Sequence, residues 1–200
     1  MSYEQIEIIE KILRCLQPKS CLEWGAGYGT IYFSRLLAEN SKWISIEHEK
    51  EWMAKITNIN QKTNVKIFYI RPNQFPPTDD NSDGTYSDLK NYIEFPSRFG
   101  KFDFILIDGR ARESCLIKAH ELIGEDGVVV LHDAEREYYQ KPFSLYKYQI
   151  FLGGYNEDGK RLWIGSEGID INNIINIAKY IRSWRIFNKI KIIKNQSLPF

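Results

Sequence analysis

The chain has 200 residues, and its 27 basic and 26 acidic side chains give a net charge of +1. That length builds one well-buried α/β domain and is too short for two ordinary ones. The near-neutral balance leaves no whole-molecule field to draw the protein to nucleic acid or to a membrane.

Ile6, Ile8, Ile9, Ile12, Leu13 and Leu16 recur at helical spacing and predict a helix over Tyr3–Leu16, which Pro18 stops. A strand is expected at Ser20–Trp24, followed by a glycine turn and a helix over Ile31–Glu39 that runs out at Asn40. Lys42–Glu47 alternates as a strand does and ends on an acid; Glu49–Lys62 reads as a helix and Val65–Arg71 as a third strand. Pro72–Gly84 has prolines, aspartates and glycine without periodicity, so a long loop is expected. Tyr86–Phe95 reads as a short helix or ordered lid. Phe102–Asp108 is an apolar run of the kind buried on both faces of a sheet, Glu113–Ile123 is helical, and Gly127–Leu131 is another buried strand ending on His132-Asp133. Gln149–Leu152 and Leu162–Ser166 flank Gly153-Gly154 through Gly159 as a hairpin would. The last prediction is a basic amphipathic helix over Ile171–Lys194, with Ile181, Trp184 and Phe187 on one stripe, Arg182, Arg185 and Lys189 beside it, and no acid after Asp170.

Strands alternating with helices at this spacing define an α/β fold. The expectation is a Rossmann-like, seven-stranded, mostly parallel sheet with helices on both faces and a C-terminal antiparallel hairpin. Residues 1–168 then form one domain that includes the N-terminal helix. Residues 169–200 add the basic helix, packed on the domain or across a homodimer interface, with contact to an anionic membrane as the alternative. Cys15, Cys21 and Cys115 form neither a C-x-x-C pair nor a metal pattern, which favours a reducing compartment. Met1–Glu10 has acids where a signal peptide has a basic and then an apolar region, and no run of about 18 apolar residues occurs. The expected location is the cytoplasm.

Glu23-Trp24-Gly25-Ala26-Gly27-Tyr28-Gly29-Thr30 carries the strongest functional signal. Alternate glycines at a strand-to-helix turn let backbone approach a nucleotide-like ligand, toward which the helix directs unpaired N–H groups. The dinucleotide fingerprint needs glycine at the first, third and sixth positions, but the sixth position from Gly25 is Thr30. Glu23, two residues ahead of Gly25, would repel a pyrophosphate and suit an amino-bearing ligand. In such sheets ligands bind outside the carboxyl ends of the strands. Glu23, Glu47, Asp108 and Asp133 stand at four such ends.

This arrangement resembles the class I S-adenosylmethionine-dependent methyltransferases over roughly Ser20–Ser166. The resemblance rests on the glycine turn, on Glu47 twenty-two residues beyond Gly25, and on the buried strand ending in Ile107-Asp108. Within that superfamily, Asp108-Gly109-Arg110-Ala111-Arg112 and His132-Asp133-Ala134-Glu135-Arg136 look like a little-characterised branch with Asp-Gly-Arg-x-Arg and His-Asp-x-x-Arg motifs. The resemblance implies S-adenosyl-L-methionine as cofactor. Gly25, Ala26, Gly27, Tyr28, Gly29 and Thr30 would pack on its methionine and ribose, Glu23 would take its amino group, and Glu47 would accept both ribose hydroxyls. His48 would lie at the cofactor's edge, Asn73 and its neighbours Arg71–Gln74 near adenine, and Asp108 beside the transferring end.

Asp108, His132 and Asp133 are the candidate catalytic groups, with His132 or Asp108 as base and the others as orienters. A second reading holds a divalent metal between Asp108 and Asp133, as in catechol-type O-methyltransferases. A third has these acids cap neighbouring turns. Arg110, Arg112, Arg136 and Tyr139 are candidates for binding an anionic or sugar-like acceptor, against the alternative that the arginines pair with Glu113, Glu135 and Glu137. The chain lacks an Asn/Asp-Pro-Pro-aromatic motif, so nucleic-acid methylation is not expected. The expected substrate is a small molecule and the expected reaction is methyl transfer, most simply to oxygen. The competing reading is a non-catalytic module that keeps the fold and uses its basic C-terminal helix on a partner or membrane surface.

Overall fold

The structure, a computed structural model, describes residues 1–153 and 161–175. It opens on helix α1 (Tyr3–Leu16), whose capping box joins Ser2 and Gln5, and whose Ile8, Ile9, Ile12 and Leu13 are buried. The chain then alternates: β1 (Ser20–Trp24), α2 (Tyr28–Ser34), β2 (Lys42–Glu47), α3 (Lys50–Ile59), β3 (Val65–Tyr69), α4 (Tyr86–Glu94), β4 (Phe102–Ile107), α5 (Arg112–Leu122) and β5 (Ile123–His132). It finishes with β6 (Tyr148–Gly153), β7 (Arg161–Ser166) and a short α6 (Ile171–Ile174).

These strands make one seven-stranded sheet in the order β3-β2-β1-β4-β5-β7-β6. β1 to β5 run parallel, and β7 is antiparallel to both β5 and β6. This is the Rossmann-like sheet with a closing antiparallel pair that the sequence predicts. Alternate residues of the central strands feed two cores. Leu22, Trp24, Ile105 and Ile107 pack with α4 and α5 on one face, and Cys21, Phe104, Leu106 and Val130 pack with α1 and Phe33 on the other. The order in which successive strands are added reverses between β1 and β4, and this switch point sets the crevice at their carboxyl ends.

Three boundaries differ from expectation. Helix α2 stops at Ser34, not near Asn40, because Leu36 and Leu37 donate to the carbonyls three residues back and tighten the chain into turns. β5 starts at Ile123, four residues earlier than Gly127, through an irregularity opposite Phe102–Phe104. α6 covers only Ile171–Ile174, and Ile175 is extended at φ −125° and ψ 126°, so no helix runs unbroken from Ile171 to Lys194. The rest of that predicted basic helix, residues 176–200, and the expected turn at 154–160 lie outside the described residues. Among the described residues no helix is long and apolar enough to cross a membrane.

Candidate active site

The end of β1 is stitched to both neighbouring strands where the crevice opens: Asp108 N–H, just past β4, donates to Trp24 O at 2.9 Å, and Gly25 N–H donates to Ile46 O of β2 at 2.8 Å. Above this seam lies a cavity of about 730 Å³, bordered by the whole Gly25–Gly29 turn, by Glu23, Glu47, His48 and Asp108, and by Trp52 from α3. The three glycines have different tasks. Gly25 has φ +95°, and a Cβ there would stand 2.5 Å from the Cα of Gly109, so backbone packs on backbone at that point. A Cβ on Gly27 would meet nothing closer than 4.0 Å, which leaves that stretch of turn open to a ligand. A Cβ on Gly29 would stand in ordinary contact with Phe33 and with Glu23 Oε1.

Glu23 is buried in the floor. Its Oε2 accepts from Thr30 Oγ1 at 2.5 Å, Ser45 Oγ at 2.8 Å and Trp43 Nε1 at 3.0 Å, which leaves Oε1 on the Gly29 side. Burial pushes its carboxyl up to about 7, with those three donors pulling the other way. A buried carboxyl in this state gains most from a cation brought against it. Thr30 therefore supports Glu23 from behind: it is fully buried, and its hydroxyl also accepts from Gly27 N–H at 2.8 Å. At the end of the neighbouring strand β2, Glu47 also borders the cavity, and its Oε1 accepts from His48 N–H at 2.7 Å and Glu49 N–H at 2.8 Å, with His48 Nδ1 2.8 Å away. The Ala26 carbonyl accepts from Trp52 Nε1 at 2.6 Å, and exposed Tyr28 meets Trp52 edge to face, so an aromatic wall closes the mouth.

The two arginine-containing motifs meet on one guanidinium. Arg112 donates from Nε to Gly109 O at 2.9 Å and from Nη1 to His132 O at 2.6 Å, and it lies 3.2 Å from Asp133 Oδ2 and 3.5 Å from Asp108 Oδ1. Its backbone N–H donates to Asp83 Oδ2 at 3.0 Å, which pins the loop between β3 and α4 to the start of α5. Arg112 borders the cavity, yet its donors are committed within the protein, so it braces the ends of β4 and β5 and is not available to an acceptor. Arg136 donates to Tyr138 and Tyr139 hydroxyls at 3.2 Å and 3.0 Å, and Tyr139 is fully buried; neither residue borders the cavity. Arg110 alone of the three arginines is exposed, bound to Ser82 O at 3.2 Å. The expected cluster of three arginines therefore does not assemble.

Asp108 is the candidate catalytic residue that reaches the cavity, with its side chain 31 % exposed. His132 and Asp133 stand behind it. His132 Nδ1 is 2.8 Å from Asp108 Oδ1, and Asp133, in the left-handed region at φ +54°, holds its Oδ1 3.4 Å from the same nitrogen. Asp108 and Asp133 do converge, but on Arg112 and His132. A divalent ion would have to share that space with the Arg112 guanidinium and with an imidazole hydrogen-bonded to Asp108, so these residues do not fit a metal. Among the described residues no other group of His, Cys, Asp or Glu is arranged as a metal site.

Asn73 lies in a neighbouring cavity of about 1120 Å³ that shares His48, Glu49 and Arg110 with the first. Its Oδ1 accepts from Asn91 N–H at 2.8 Å, which ties the loop after β3 to α4. Residues that sequence reasoning missed include Trp43 and Ser45, which hold Glu23; Trp52 at the mouth; Asp83 behind Arg112; and Met1 and Ile6 of the N-terminal segment, which border the cavity. Gln5 was also missed, although Ser2-x-x-Gln5 was legible as a capping box.

No protein-family profile matches the sequence, and neither does any curated protein sequence. Solved structures do match in fold. An O-methyltransferase from Bacillus cereus in complex with SAH superposes with a TM-score of 0.64 at 14% identity, covering 84% of this chain and 82% of that one. The O-methyltransferase TomG from Streptomyces achromogenes in complex with SAM gives 0.58 at 15%, with the same coverage of 84% and 82%. A spermidine synthase from Thermotoga maritima gives 0.55 at 17%, covering 87% of this chain and 64% of that one. The chain thus has the fold of these transferases. Enzymes of different name share that fold, so the reaction has to be argued from the site.

Proposed function

We propose that the protein is an S-adenosylmethionine-dependent methyltransferase acting on the oxygen of a small acceptor, one bearing an anionic or sugar-like group. The observation that carries this reading is the pair of carboxylates, Glu23 and Glu47, that border one cavity together with the open Gly27 stretch of the turn. Glu23 Oε1 would receive the cofactor's ammonium, and Glu47 would accept from the ribose diol, because a carboxylate offers two acceptor oxygens and no donor. His48 and the loop at Asn73 would flank adenine, in the neighbouring cavity. The bound sulfonium supplies an electrophilic methyl group for in-line displacement. Asp108 stands where an acceptor hydroxyl would approach; it would orient that hydroxyl and take its proton as the new O–C bond forms. Arg110, exposed at the same rim, would hold the acceptor's anionic group.

The test is thermal unfolding with and without saturating S-adenosylmethionine or its demethylated product. A rise in melting temperature that Glu47→Ala abolishes is expected. No rise with either compound would sink the proposal.

A further inference from the structure

The first turn of α1 reaches into the polar network behind Asp108. Gln5 is 5% exposed and His132 is 4% exposed, and they meet 127 residues apart in sequence: His132 Nε2 is 3.3 Å from Gln5 Oε1. The same amide oxygen accepts from Ser2 N–H at 2.8 Å. That bond fixes the amide, because turning it over would set its NH2 group against a backbone N–H. An amide oxygen only accepts, so His132 Nε2 must carry a proton. The opposite nitrogen, Nδ1, faces Asp108 Oδ1 at 2.8 Å and Asp133 Oδ1 at 3.4 Å. Ionised carboxylates also only accept, so Nδ1 must carry a proton too. Both ring nitrogens then donate, which is the imidazolium form.

The surroundings agree with this assignment. Asp83, Asp108 and Asp133 crowd round Arg112, with Tyr139 beside them and Glu23 within reach of the field of Asp108. One guanidinium among three carboxylates leaves room for a second cation. Gln5 also buries an amide nitrogen, Nε2, that has no partner among the described residues. The Gln5 oxygen thus meets two groups at once, the Ser2 N–H of the capping box and His132 Nε2, and its buried nitrogen is the cost of that position.

We propose that Gln5 is a positioning residue for Asp108, acting through His132. Its amide oxygen holds the imidazolium, the imidazolium and Arg112 both engage Asp108 Oδ1, and Oδ2 is thereby kept for the acceptor's proton. The proposal rests on the methyltransferase reading for the role of Asp108 and stands on geometry alone for the state of His132. It is tested without any acceptor. The chain has only three histidines, His48, His120 and His132, so long-range proton–nitrogen spectra of histidine-labelled protein resolve each ring. At pH 7 His132 is expected with both nitrogens protonated. Gln5→Leu and Gln5→Met should remove the second proton, Gln5→Glu should keep it, and Ser2→Ala, which removes only the hydroxyl half of the cap, should leave it in place. All four variants should retain the thermal shift with S-adenosylmethionine, which separates this inference from the cofactor reading. A singly protonated His132 in the unaltered protein overturns the proposal, as does a ring state indifferent to both Gln5→Leu and Gln5→Met.

Discussion

Replacing Glu23 with glutamine should flatten the pH dependence of stability in the ligand-free protein. The carboxyl is fully buried and its ionisation is pushed from the ordinary 4.5 up to about 7, chiefly by loss of water. The folded state therefore holds a proton that the unfolded chain gives up from about 4.5 upward. The stabilisation tied to that proton is complete below the ordinary value, shrinks as pH rises, and is gone above about 7. A rise from 4.5 to about 7 corresponds to roughly 3 kcal/mol at 1.36 kcal/mol per pH unit, an order-of-magnitude figure. Urea unfolding at half-unit steps from pH 4.5 to 8 measures it. The quantity to read is the difference between the unaltered protein and Glu23→Gln, in which the contributions common to both cancel.

The variant should stay folded, because its amide oxygen can replace Oε2 as acceptor for Thr30, Ser45 and Trp43. That arrangement turns the amide NH2 toward the cavity, where it would oppose an ammonium. The unaltered protein should therefore bind S-adenosylmethionine more tightly as pH rises toward 7 and release close to one proton on binding near pH 6, seen by calorimetry in buffers of different ionisation enthalpy. Glu23→Gln should bind weakly and release none. Identical stability profiles for the two proteins would refute the reasoning.

Other outcomes follow from single contacts. Arg112→Ala should destabilise by about 3–5 kcal/mol in urea unfolding, since it leaves the buried Asp83 and Asp133 and the half-buried Asp108 without their guanidinium, and Arg112→Lys should not restore the loss because one ammonium cannot span both strand ends. Gly25→Ala should cost about 2 kcal/mol or more through its positive φ and the Gly109 backbone, whereas Gly27→Ala should fold with near-normal stability and lose cofactor affinity. Asp88→Ala should make the loop at residues 72–85 more susceptible to limited proteolysis, because the Asp88 carboxylate accepts from the N–H and hydroxyl of both Thr78 and Thr85.

The sheet was legible because parallel strands buried on both faces must be continuous apolar runs; Phe102–Asp108 and Gly127–Leu131 admit no other reading once glycine and acid bound them. Helix α2 was over-extended because Ile31–Glu39 lacks a proline or glycine to stop it, and the switch of Leu36 and Leu37 to bonds three residues back is announced by no residue type there. Glu23 and Glu47 were readable since strand ends of this fold face one crevice. The partners of Glu23 were not, because Trp43 and Ser45 look like ordinary members of an alternating strand.

The motifs Asp108-Gly109-Arg110-Ala111-Arg112 and His132-Asp133-Ala134-Glu135-Arg136 show where residue types mislead. Three arginines near a strand-end rim suggest an anion site, but charge in sequence does not say which way a side chain turns. Ala111 and Asp133 both take positive φ, at 49° and 54°, and these two turns face Arg112 and Asp133 inward on each other. A glutamine from the first helix then reaches the histidine of the second motif. The two motifs are thus one device: Gly109 lets β1 and β4 close on each other, Arg112 and Asp133 lock β4 to β5, and His132 is bonded to Asp108, the aspartate of the two motifs that borders the cavity. Asp108 is separated from its partners in sequence by 24 residues to His132 and by more than 100 to Gln5, and only the sheet order makes them neighbours.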